Sequence, residues 1–176
     1  MNLLLVTLPL VVQLVIPPGD GPAWHHQLSQ KGIEVWTAQG TEGTWGRAEG
    51  DIPATPAALL DHLVDFDHMV GQIPRLAKVK VLSREPGEVV AWFYFDLPWP
   101  ISDRDYTARY RFRSEPGGDV VVTIDDANAE GPPPARAVRV KQLHGEFRVR
   151  PGERDGESRL RFTYHADFGG WLPNSV

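Results

Sequence analysis

The sequence contains no cysteine. This excludes a disulfide scaffold, a thiolate zinc site and a cysteine nucleophile. It has no run of like charges, and a net charge of −5 with a pI near 5.6 leaves no basic footprint for nucleic acid. There is no glycine-rich phosphate loop, since the glycines fall in turns, and no nucleophile elbow or oxyanion motif surrounds a serine. Ser102 and Asp103 with one of the 6 histidines make a triad on paper only. Internal repeats and low-complexity tracts are also missing.

A long apolar run is scarce too. Residues 3–16, LLLVTLPLVVQLVI, carry no charge but fall short of the roughly 20 residues a spanning helix needs. Their length suits the apolar core of a secretory leader, followed by the helix-stopping Pro17, Pro18, Gly19 and Asp20 and by the small residues Gly21 and Ala23. The expectation is a leader over 1–23, a mature protein starting near Trp24, and a periplasmic or secreted location. A cytoplasmic location is the alternative, because only the Met1 amine supplies the positive charge a leader carries. A first core strand is the competing structural reading.

What is present describes one globular, β-rich domain. The length of 176 residues matches a single domain, and 41% hydrophobic with 23% charged residues is an ordinary balance. Gly (17) and Pro (16) supply many turns, which suits short strands better than a helical bundle. Residues 24–30 read as a short helix, 32–37 as an alternating strand, and 45–52 as a weaker strand ended by Pro53. Thr55 then stands as an N-cap before Pro56, with Leu59, Leu60, Leu63 and Val64 on one helical stripe and Asp61, Asp65 and His68 on another. Alternation resumes over 76–82 and Pro86-Gly87 is a turn.

The second half is more regular. Residues 89–95 (VVAWFYF) are apolar on both faces, as in a covered strand, so their phase stays open. Arg104, Tyr106, Ala108, Tyr110 and Phe112 then share one face, and Asp105, Thr107, Arg109, Arg111 and Arg113 the other. The same division recurs in 120–125, in Val138 and Val140, in Phe147 and Val149, and in Leu160, Phe162 and Tyr164. A curved antiparallel sheet of six or seven strands follows, with one wet, arginine-rich face and one aromatic face. So few helices leave that aromatic side to be filled by a helix, a ligand or both. Arg104 breaks the apolar face, and a buried guanidinium requires a partner: an internal acid or a polar ligand group.

Segment 95–106, FDLPWPISDRDY, resembles the signature of START domains, the steroidogenic-acute-regulatory-related lipid-transfer family: a strand, an aromatic-proline loop, then RDY opening the next strand. Segments 137–142 (AVRVKQ) and 166–174 (ADFGGWLPN) resemble the family's strand after its long loop and its approach to the C-terminal helix. Trp24 with 32–36 resembles the family's opening, so the likeness covers about residues 24–176. The resemblance implies an α+β helix-grip fold of the SRPBCC superfamily in a bacterial form. Its curved antiparallel sheet grips a long C-terminal helix around a hydrophobic cavity. That helix would begin where the sequence stops, so it is expected to be truncated or only begun. Residues 69–74, MVGQIP, lack the Trp-Asp pair many members carry and any arginine to hold a phosphate.

The resemblance implies a non-catalytic carrier of a lipid or other hydrophobic small molecule, with no cofactor, no nucleic-acid partner and a transient membrane contact. Arg104, Trp92, Tyr94, Tyr106, Tyr110, Phe112, Phe147, Phe162 and Tyr164 are the expected ligand-binding residues, and Leu97, Pro98, Trp99 and Pro100 the expected gating loop. Burying about 400 Å² of ligand at about 25 cal/mol/Å² yields roughly 10 kcal/mol before association costs, so apolar area alone suffices for affinity. Two other readings compete. A polyketide cyclase or aromatase of the same superfamily would need a pocket acid or base, and the inward face offers tyrosines and Arg104 but no clear histidine or carboxylate. An interaction module would take a partner's helix in the open groove. Asp61, His62, Asp65, Asp67 and His68 could be grouped as metal ligands, but an amphipathic helix ordinarily turns such residues to water.

Overall fold

The computed structural model describes residues 23–41, 43–134 and 136–170. The leader expected over the N terminus and the stretch from Trp171 onward lie outside them. Ten strands and one helix follow one another as β1 (His25–Gln30), β2 (Ile33–Gly40), β3 (Gly43–Ile52), α1 (Pro56–Leu63), β4 (Leu76–Glu85), β5 (Glu88–Phe95), β6 (Arg104–Ser114), β7 (Val120–Asp126), β8 (Val138–Arg139), β9 (Gln142–Pro151) and β10 (Ser158–Asp167). They form a single curved sheet in the order β1-β2-β3-β10-β9-β7-β6-β5-β4, antiparallel along that path.

Two corrections concern the ends of this order. The segment read as a helix over 24–30 is strand β1, paired with β2. Gln30 pairs with Ile33, and the intervening Lys31 (φ 52°) and Gly32 (φ 79°) both take left-handed backbone, the geometry of a tight hairpin turn. That turn folds the polar HHQLSQ back on β2, where His26 Nε2 meets Glu34 Oε2 at 2.7 Å. Among the described residues the sheet has ten strands rather than six or seven. The expected strand at Val138 and Val140 is the two-residue β8, which runs parallel rather than antiparallel to the start of β6 through Val138 N–H to Asp103 O (2.8 Å) and Val140 N–H to Asp105 O (2.9 Å).

The helix starts where the N-cap placed it: Thr55 accepts from the Ala58 N–H at 3.3 Å, with Pro56 in the first turn. Helix α1 lies across the inner face against β9 and is followed by Phe66, which is 1% exposed. The Phe66 ring packs edge-on to Phe93 (6.2 Å) and Tyr110 (4.8 Å), anchoring the helix to β5 and β6. The core extends through Leu76, Val89, Ala91, Ala108, Val122 and Ile124. On the outer face arginines and acids interleave. Arg111 meets Glu88 (3.0 Å) and Asp125 (2.9 Å), and Arg159 meets Glu49 (3.3 Å) and Asp51 (3.2 Å).

Candidate ligand cavity

The inner face opens into two adjoining cavities. The first, about 340 Å³, is lined by Phe95, Leu97, Arg104, Tyr106, Val140, Leu143, Phe162, Tyr164, Ala166 and Phe168. The second, about 370 Å³, is lined by His62, Leu63, Met69, Gln72, Ile73, Phe93, Tyr110, Ile124, Gly145 and Phe147 together with Phe95, Tyr106, Leu143, Phe162 and Tyr164. Those last five belong to both, so they mark a shared waist. Phe147 and Phe162 stack at 4.3 Å and Phe162 and Tyr164 at 5.2 Å, so β9 and β10 present an aromatic wall. Opposite them Phe93 stacks on Tyr106 at 4.8 Å.

Arg104, Tyr106, Tyr110, Phe147, Phe162 and Tyr164 thus lie together in the lining, as does Leu97 from the loop. Three of the expected residues do not. Trp92 and Tyr94 point to the opposite face, and Phe93 and Phe95 take the inward positions. The polar handles decide the phase of this doubly apolar strand. Trp92 Nε1 donates to Asp105 Oδ2 at 3.0 Å and the Tyr94 hydroxyl donates to Asp103, carboxylates of a kind missing from the described cavity lining. Phe112 packs against the core rather than the cavity. Sequence reasoning also missed the α1-side lining, Leu63, Met69, Gln72 and Ile73, because helical and loop positions carry no period-two signal.

Arg104 points inward and is 4% exposed. Among the described residues its partners include main-chain carbonyls. Nε donates to Phe168 O (2.9 Å), Nη2 to Gly169 O (3.0 Å), and Nη1 to Asp103 O (3.3 Å) and Ser102 O. The side chain thereby ties the loop before β6 to the segment after β10 while lining the first cavity. The buried acid nearby, Asp105 (2% exposed), is taken by Arg139, whose Nε and Nη2 reach its two oxygens at 2.8 Å each. Asp103 fixes the loop from beneath: it accepts from Tyr94 and from the Leu97 N–H (3.1 Å), and these bonds hold its carboxyl below the usual range. At the loop's tip Trp99 is 92% exposed.

Burial raises the pKa values of Tyr106 and Tyr110, so both stay neutral phenols at any physiological pH. His62 sits on the exposed rim of the second cavity beside Gln72. Of the other helix-side groups, His68 Nδ1 meets Asp65 at 2.8 Å and Asp67 lies 3.9 Å from Arg84. Among the described residues no group of three His, Asp or Glu could hold a metal ion.

Comparisons with known proteins agree with this geometry. An uncharacterized protein of Pseudomonas aeruginosa is 24% identical over 158 residues, covering 86% of this chain and 78% of that one. The crystal structure of a STAR-related lipid transfer protein from Xanthomonas axonopodis (fragment 25–204) superposes with a TM-score of 0.78. It is 20% identical and covers 86% of this chain and 85% of that chain. The fold extends to the Zhui aromatase/cyclase of a Streptomyces species, with a TM-score of 0.50, 18% identity, and 72% and 71% of the two chains covered. The START domain family model matches residues 19–176, and the chain belongs to that family.

Proposed function

We propose that this protein binds a lipid or similar hydrophobic small molecule in the two-part cavity and carries it without covalent chemistry. The observation that carries this reading is the lining itself: aromatic and aliphatic side chains from β5, β6, β9, β10 and the α1 region converge on a shared waist. The test is native mass spectrometry with organic extraction of the full chain purified from its own host. A co-purifying lipid or terpenoid is expected. An empty protein that also takes up no fluorescent lipid overturns the reading.

The exposed Trp99, with Phe168 and Ile73 half-exposed at the cavity margins, supports transient docking on a membrane for loading and release. The uncharged 3–16 stretch supports export, which intact mass of the processed protein tests through a start near Trp24. A second reading, cyclase-like chemistry, draws on the fold shared with the aromatase/cyclase and on His62 at the rim. The neutral tyrosines supply no base, and among the described lining residues there is no carboxylate. The carrier reading is therefore preferred.

A further inference from the structure

The cations of this protein are of two kinds. On the outer face of the sheet the arginines are committed to acids: Arg109 to Glu88 and Glu130, Arg111 to Glu88 and Asp125, and Arg159 to Glu49 and Asp51. Arg75, Lys78, Arg136 and Lys141 are exposed, and among the described residues none of them has an acid within ion-pair distance. Backbone geometry gathers these four at one end of the molecule. The Arg75 carbonyl accepts from the Asp96 N–H (2.9 Å), where the 97–102 loop begins. Lys78 pairs with Tyr94, its Nζ 5.2 Å from the ring centroid, and the Tyr94 hydroxyl donates to Asp103, where the loop ends. Arg136 stands two residues before Val138, whose N–H donates to Asp103 O (2.8 Å). The Lys141 N–H donates to Asp167 O (2.8 Å), next to Phe168. Of the acids at this end, Asp103 is taken by Tyr94 and the Leu97 N–H, and Asp96 and Asp167 are exposed. Four exposed cations thus face two exposed carboxylates, in a chain whose net charge is −5.

The same end carries exposed apolar groups. Trp99 is 92% exposed between Pro98 and Pro100, themselves exposed, and Phe168, which lines the first part of the cavity, is 46% exposed. An indole held in water beside unpaired cations is satisfied by a surface that offers both apolar depth and negative headgroups. The ring enters such a surface, and lysine and arginine lay their stems along it with the charge at the phosphates. The remainder of the chain holds the excess of acid and is repelled by the same field, so the attraction also fixes which end approaches.

We infer that this end of the protein docks on an anionic lipid surface, with Trp99 entering the headgroup layer and Arg75, Lys78, Arg136 and Lys141 set against lipid phosphates around it. This rests on the membrane contact proposed above and names the surface that contact selects.

The test is partition of the full chain onto sedimented vesicles of phosphatidylcholine alone and of an equal mixture with phosphatidylglycerol. At low salt the mixed vesicles are expected to bind at least about tenfold more strongly, since each cation at the surface contributes up to about fivefold. That preference should fade as salt rises to about 1 M and the screening length falls to about 3 Å. Lys78→Gln and Lys141→Gln should each lose about threefold or more on the mixed vesicles and stay within about twofold on phosphatidylcholine. Lys31→Gln makes the same charge change at the opposite end of the sheet, in the β1–β2 turn, and should stay within about twofold on both. Equal partition onto the two kinds of vesicle overturns the proposal and leaves the membrane contact standing. A loss in Lys31→Gln equal to that in the other two variants also overturns it, because net charge rather than this end would then govern binding. Should a variant not fold, the wild-type ratio of mixed to neutral vesicles still decides. No partition onto either kind overturns the membrane contact and the proposal together, while a lipid in the organic extract would still uphold the carrier reading.

Discussion

Phe66 carries more of the fold than its place in the sequence announces. It follows α1 between two aspartates, Asp65 and Asp67, and although it continues the spacing of Leu59 and Leu63 the helix itself has ended before it. It is nevertheless fully buried against Phe93 and Tyr110 and pins the helix over the cavity. Phe66→Ala is expected to cost about 3–5 kcal/mol, read by urea unfolding, because the ring leaves a cavity under the helix. Asp105 and Arg139 are the other residue-scale dependence. Removing one partner of a buried pair strands the other charge, so Arg139→Leu should cost about 3 kcal/mol or more, with partial recovery in Asp105→Leu/Arg139→Leu. A single-mutant loss well under 1 kcal/mol would show that the pair contributes little. The inward placement of Tyr106, Tyr110 and Phe162 was legible from strict alternation. Residues 89–95 were not, because both faces are apolar. Only the donors on Trp92 and Tyr94 separate those two from Phe93 and Phe95, and their acceptors become neighbours through β6.

At the scale of elements, the 97–102 loop is governed by Asp103. Its pKa is lowered, so its contribution is fully present above the ordinary carboxylate value near 3.9 and is lost as the pH falls through the lower folded value. Protection of the Leu97 amide, taken against its intrinsic exchange rate at each pH, should hold at neutral pH and fall once the pH drops below the ordinary carboxylate range. In Asp103→Asn the exchange should be faster throughout and lose that acid dependence; an unchanged profile would remove Asp103 from the loop's control. Trp99 belongs to the proposed membrane step. Exposed beyond the cavity, it should set the rate of transfer between vesicles and leave affinity alone, so Trp99→Ala slows transfer several-fold with an unchanged dissociation constant. The loop and its RDY continuation were legible as a motif. The short β1 was not: HHQLSQ has no strand periodicity, and it is a strand because Lys31 and Gly32 turn it back onto β2.

The whole molecule depends on pairings that local sequence does not encode. β3 joins β10 through Ile52 with Ser158 and Gly46 with Tyr164, positions more than a hundred residues apart, and this join places the first three strands beside the meander. Alternation announces each strand's faces but not its neighbour, so the aromatic face was readable while the two-part cavity was not. That shape makes a prediction of its own. Leu143 lies at the waist, whereas Ala166 belongs to the first part alone. A ligand that spans both parts needs the waist open, so Leu143→Trp should abolish uptake of a long-chain probe, with the β-sheet circular dichroism retained. Ala166→Phe should do the same to a spanning ligand, but leave one confined to the second part, under helix α1, bound with little change. The two variants thus measure how far the ligand reaches. Loss in both assigns it the full length of the cavity, loss in Leu143→Trp alone confines it beneath the helix, and retention in both would place binding outside this cavity.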